Sequence, residues 1–253
     1  MLRTRVIPTL LLRNGSLVKT VQFRKFRYIG DPVNTLRIFN ELEVDELLFL
    51  DITATLQNHA PNYKILGEIA NECFMPLGYG GGIKNLTQAK EIFDIGFEKI
   101  AINTQAQENP ALIREIVEHF GSQALIVSID VKKNIFGSNT IRTRCGKKNN
   151  YIDPADWARE VEQLGAGEIL LTSIDKEGTW EGFDLDLVKK VTKSVSIPVI
   201  AHGGAGRLED LELVVKKGKA SAVALGSMVV YQKKNMGVLV NFPTKSRIKE
   251  LLE

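Results

Sequence analysis

The second half of this chain repeats the first at a fixed distance. Asp45-Glu46-Leu47-Leu48 recurs as Gly167-Glu168-Ile169-Leu170, Pro76 as Pro198, Gly81-Gly82 as Gly203-Gly204 and Gly96 as Gly218, each 122 residues later. A repeat of that length means two copies of one larger unit, and the runs inside it say which unit. Short runs rich in aliphatic and β-branched residues lie at Val6–Leu12, Glu46–Asp51, Met75–Gly80, Lys99–Asn103, Leu125–Asp130, Glu168–Ser173, Pro198–His202 and Ser221–Gly226. Each has the length of a buried parallel strand. Stretches with helical apolar spacing separate most of them, such as Leu86–Gly96, Pro110–Phe120, Pro154–Gly165 and Leu208–Gly218, often closed by glycine. Eight strands alternating with helices predict an α/β fold, a single (β/α)₈ TIM barrel over residues 1–253 with half-barrels of about 1–123 and 124–253. A doubly wound open sheet is the rival, but two halves of four strands close more naturally into eight. Strand one aligns with strand five at an offset of 119, which sets Leu11 opposite Asp130.

Composition narrows the partners. A length of 253 residues suits one such barrel, and 33 basic against 30 acidic residues is too even for a nucleic-acid or membrane surface. Any anion site must therefore be local. Cys73 and Cys145 fit neither a metal-ligand spacing nor a disulfide framework, so a reducing cytoplasm is the expected compartment and no metal or cofactor is expected. The opening Met1-Leu2-Arg3-Thr4-Arg5 leads into a short apolar run without a small-residue cleavage site, and no export or membrane anchoring is expected.

In a TIM barrel the chemistry sits at the C-terminal ends of the strands. Four glycine-rich corners fall there. Gly80-Gly81-Gly82 and Asn103-Thr104 belong to the first half, and Gly203-Gly204-Ala205-Gly206 and Gly226-Ser227 to the second. A phosphate needs backbone N–H groups unobstructed by Cβ atoms, together with hydroxyl or amide donors. Both halves offer that set, and Glu177-Gly178-Thr179 adds donors to the second. Glycine also serves tight turns for steric reasons alone, so the argument rests on the matched corners. They point to a small-molecule ligand with anionic groups at opposite ends, such as a phosphorylated one.

These residues resemble the HisF family, the ammonia-using subunits of imidazole glycerol phosphate synthase. The resemblance runs from Gly30-Asp31-Pro32 through the segment Asp45 to Ala54, Gly80-Gly81-Gly82-Ile83, Asn103-Thr104, the segments Phe120 to Ala124, Gly146 to Asn149 and Gly165 to Asp175, and Gly203-Gly204-Ala205-Gly206. It implies a HisH-like glutaminase docked on the N-terminal face, and ammonia passing through the barrel to a bis-phosphorylated substrate. It also implies a charged gate made by Arg5, Glu46, Lys99 and Glu168. Charged residues at the bottom of a barrel also serve as plain stabilising clusters. Lys19 matches a lysine in the family's mobile active-site loop, Lys147 in the long segment 132–150, expected to be a hairpin, is a further contact, and Arg24 to Arg27 either face an anionic ligand or form a solvated surface.

The departures are as informative. HisF cyclases use two aspartates as general acid and base; Asp130 matches one, and the other position holds Leu11, the partner that the internal repeat assigns independently. His202 stands where the family usually has serine, and is either structural or a replacement acid or base. Glu177 stands where the family has aspartate, and the segment Gly237 to Pro243 differs from the usual tail. The pattern looks like the second HisF-type protein found with surface-polysaccharide genes. There the barrel supplies ammonia to a separate amidotransferase, which forms an acetamidino group on an amino sugar. Imidazole glycerol phosphate synthesis and a non-catalytic ammonia conduit are the two other readings.

Overall fold

The structure, a computed structural model, describes residues 4–252; residues 1–3, which begin the segment read above for an export signal, and residue 253 lie outside it. Eight strands form the barrel: β1 (Arg5–Arg13), β2 (Leu47–Asp51), β3 (Leu77–Gly80), β4 (Lys99–Ile102), β5 (Leu125–Lys133), β6 (Glu168–Ser173), β7 (Val199–His202) and β8 (Ala222–Leu225). Each pairs in parallel with the next, and β8 pairs back onto β1, so the sheet closes. The predicted barrel is the observed one.

Alternation of side chains along the strands builds two separate apolar layers. Val6, Leu10, Phe49, Ile100, Val127 and their neighbours pack outward against the helices. Ile7, Leu48, Ala101, Ile126, Leu170, Ile200, Ala222 and Ala224 form a second cluster inside the barrel. Strand β3 gives no side chain to that inner layer because it is filled there already: a Cβ on Gly78 would lie 2.8 Å from Leu48 Cδ1. Helix starts follow from short polar residues. Asp31, Asn85, Asp153 and Asp184 each accept a hydrogen bond from the first turn of the helix they precede. Among the described residues no helix is long and apolar enough to cross a membrane.

Strands β1 and β5 run past the rim of the barrel and turn back as antiparallel hairpins. The first hairpin pairs Ser16–Val21 with Arg24–Gly30, and the second brings Asn139–Thr143 and then Lys148–Asn149 back over β5. The second is the hairpin expected for residues 132–150; the first, read as a mobile loop, is equally a hairpin. Each turn docks on the other half. Gln22 N–H donates to Glu177 O at 2.9 Å, whereas Arg144 N–H donates to Thr104 Oγ1 at 2.9 Å and Cys145 Sγ to Ile52 O at 3.3 Å. The turns meet where Gly146, with φ +80°, leaves room for the Phe23 ring; a Cβ there would be 3.2 Å from Phe23 Cδ2.

Candidate functional site

At the N-terminal end of the barrel Arg5, Glu46, Lys99 and Glu168 form a closed ring. Arg5 donates to Glu46 Oε2 at 2.7 Å and to Glu168 Oε2 at 2.8 Å. Lys99 Nζ donates to Glu46 Oε1 and to Glu168 Oε1, both at 3.0 Å. Every cation thus touches both carboxylates. Burial alone would loosen the Arg5 proton, but Glu168 and Glu46 together outweigh it and hold the guanidinium more firmly protonated than usual. Directly above this ring lies the apolar inner layer.

The opposite end opens into a cavity of about 760 Å³. Leu11, Asp51, Gly82, Asn103, Asp130 and His202 are among its walls. Asp130 is buried, and burial pushes its carboxyl up to about 7, aided by the charge of Glu177 and opposed by hydrogen bonds from Thr172 and Ser128. It is therefore poised between acid and base near neutral pH. His202, two strands beyond on β7, shares a 3.1 Å hydrogen bond between Nδ1 and Oγ1 of Thr172 on the intervening β6. Burial, with Lys19 nearby, drives its imidazole down to about 3. A ring that stays neutral throughout the physiological range takes part through hydrogen bonds, donating from one ring nitrogen and accepting at the other.

Lys19, on the inner strand of the first hairpin, reaches down into the mouth, where Nζ donates to Thr9 O at 2.8 Å. Burial lowers its ammonium to about 8, against the supporting charge of Glu177. Leu11 occupies the wall position whose half-barrel equivalent is Asp130, and it is paired with Leu50 on β2.

The glycine corners differ between the halves. Gly81, Gly82, Asn103 and Thr104 all line the cavity. Gly81 has φ +124° and passes so close to β2 that a Cβ would lie 2.3 Å from Asp51 O. The Asn103 amide is engaged within the protein, donating to Ser128 O at 3.0 Å and to Asp130 Oδ2 at 3.3 Å. Gly203, Gly204, Gly226 and Ser227 are not among the cavity walls. Gly204 is instead covered by Gly182 O, 2.2 Å from a Cβ position, and Gly226 by Lys19 Nζ, 2.4 Å from one. Glu177 and Gly178 hold the first hairpin: Glu177 Oε2 accepts from Phe23 N–H at 3.1 Å, and Gly178 lets Thr20 O approach to 2.4 Å of its absent Cβ. Lys147 also lines the cavity.

Sequence reasoning passed over Thr172 and Ser128, the hydroxyls flanking Asp130. The signal for Thr172 was its register: Thr172 pairs with Asp130 on one side and His202 on the other. Arg144 was missed too, and it bonds Glu108 at 2.8 Å on the rim of the first corner.

Comparison with known proteins places this architecture. Residues 5–235 match the model of the family described as histidine biosynthesis protein. A Pseudomonas aeruginosa protein provisionally named imidazole glycerol phosphate synthase subunit hisF2 is 47% identical, over 98% of this chain and 99% of its own length. A Vibrio vulnificus protein provisionally named subunit hisF3 of that synthase is 44% identical, over 100% of this chain and 98% of its own. The Nostoc imidazole glycerol phosphate synthase subunit HisF is 38% identical, over 98% and 97%. The chain belongs to the histidine biosynthesis protein family, within its HisF subunits, which are enzyme subunits of a glutamine-dependent synthase.

Proposed function

We propose that this chain is the ammonia-using subunit of a glutamine amidotransferase complex, that a HisH-like glutaminase docks on its N-terminal face, and that the nitrogen is destined for an amino sugar of a surface polysaccharide, as an acetamidino group. The observation that carries the last part is the unequal mouth. Where the two halves of the barrel present equivalent wall positions, one holds Asp130 with a carboxyl near 7 and the other holds Leu11. A ring closure that needs one group to give a proton and another to take it is left with half of its machinery. Support for the ammonia route comes from the charged ring, which would exclude ions, and from the apolar inner layer, which a neutral molecule would cross without shedding charge. In this reading a separate sugar amidotransferase activates the acceptor, and the barrel delivers ammonia to it.

Histidine synthesis is the second reading, favoured by the open first-half corner of Gly81, Gly82, Asn103 and Thr104 and by the names of the relatives. In both readings ammonia enters at the ring. Mixed with a HisH-like glutaminase from the same organism, the chain is expected to run as a one-to-one complex in size-exclusion chromatography with light scattering. A chain that stays monomeric in the presence of excess glutaminase overturns the ammonia route in both readings.

A further inference from the structure

The first hairpin and the loop after β6 share contacts that neither reading of the acceptor uses. We propose that Glu177 is a positioning residue: its carboxylate latches the first hairpin shut and thereby sets Lys19 over the second-half corner, whichever acceptor the complex serves.

The geometry is specific to the turn. Gln22 and Phe23 both have positive φ, 53° and 61°, so their N–H groups turn toward the loop after β6. Glu177 meets both, the backbone O taking Gln22 N–H at 2.9 Å and Oε2 taking Phe23 N–H at 3.1 Å. The Gln22 side chain adds a bond to Asp175 O at 2.9 Å. Gly178 closes the contact by admitting Thr20 O where a Cβ would sit 2.4 Å away. Lys19 is the next residue on that strand, and its Nζ occupies the space above Gly226. An anion contact for Glu177 itself runs against its charge; a carboxylate beside a phosphate would repel it. As a latch the same charge is useful, because it also favours the ammonium of Lys19.

The groups around Lys19 make the two effects separable. Glu177 faces it from the loop after β6 and His202 from β7; Arg27 is its neighbour across the hairpin, and Asp130 lies beyond Glu177. Burial holds the amine down to about 8 and Glu177 pulls it up. Opening the hairpin therefore raises the Lys19 titration toward an ordinary lysine, whereas deleting only the charge lowers it further.

The test is made on the full-length chain. Hydrogen exchange reads the Gln22 and Phe23 amides, and ¹³C-methylated lysines, with Lys19→Arg for assignment, read the titration. Glu177→Gln keeps an acceptor for Phe23 N–H without the charge; exchange is expected to stay close to wild type and the Lys19 titration to move down. Glu177→Asp keeps the charge but withdraws the carboxylate by one methylene. Exchange at Phe23 is expected to quicken by about tenfold, the worth of one hydrogen bond to a charged acceptor, and the titration to move up. Exchange of β5 amides serves as the control for folding. If Glu177→Asp leaves Phe23 exchange unchanged, or if both variants move the Lys19 titration in the same direction, the latch is wrong. Neither result bears on the acceptor.

Discussion

Replacing Leu11 by aspartate is expected to raise ammonia-dependent cyclase activity on the histidine-pathway intermediate by about 10²-fold or more, the usual worth of a positioned acid or base. The wall around that position is already built for the chemistry. Leu11 lines the cavity on β1, four strands around the barrel from Asp130 on β5, and Asn103 and Ser128 orient the Asp130 carboxyl at 3.3 and 3.4 Å. An aspartate at position 11 would supply the second proton-transfer group from the opposite wall. His202 is no substitute acid, since burial keeps its imidazole neutral down to about 3. The pH dependence carries the same signature. If Asp130 acts as the base, the rate of Leu11→Asp rises as pH passes about 7, where its carboxyl loses the proton. Steady-state assays with saturating ammonium read both. A Leu11→Asp protein that folds normally and shows no gain, or a wild-type protein already as fast as Leu11→Asp, contradicts the argument from this residue.

A comparably large effect on stability is expected at the other end of the barrel. Glu46 is buried and bridges Arg5 and Lys99, so Glu46→Ala removes two ion pairs at once and leaves both cations with Glu168 alone. Breaking a buried ion cluster by removing one member costs about 3–5 kcal/mol when the remaining charge is fully buried. Here Arg5 retains 28% side-chain exposure and Lys99 17%, so water relieves part of the cost and about 2–3 kcal/mol is expected. Urea unfolding measures it. Glu46→Gln, which keeps the shape and one acceptor, should lose less. A loss below about 0.5 kcal/mol for Glu46→Ala would mean that the ring behaves as an ordinary surface cluster.

The sequence made the barrel legible because parallel strands buried on both faces read as short apolar runs, and because the repeat at 122 residues said there were two sets of four. Ends of strands were read less well: β5 extends to Lys133, three residues past the run ending at Asp130, because it continues into the mouth hairpin. The first hairpin was not legible for a related reason. Arg24–Gly30 is mostly exposed, and its short alternation of Lys25, Phe26, Arg27 and Tyr28 marks no buried face, since only its partner strand Ser16–Val21 is covered. The charged ring was readable as four residues at strand starts, but not its closure, which depends on side-chain geometry across the lumen. The two glycine corners looked alike in sequence and differ in the fold, because Lys19 and Gly182 arrive over the second from distant segments. Thr172 and Ser128 carry no motif: strand register brings Thr172 to Asp130, and Ser128 meets it from two residues earlier on the same face of β5.

The acceptor is tested most directly by deleting the gene in the organism that encodes it and reading two things together, growth without histidine and the acetamidino content of the surface polysaccharide. The account predicts that growth without histidine is unaffected, and that the acetamidino group disappears and returns when the gene is restored. A deletion strain that requires histidine while its polysaccharide is unchanged would contradict the account.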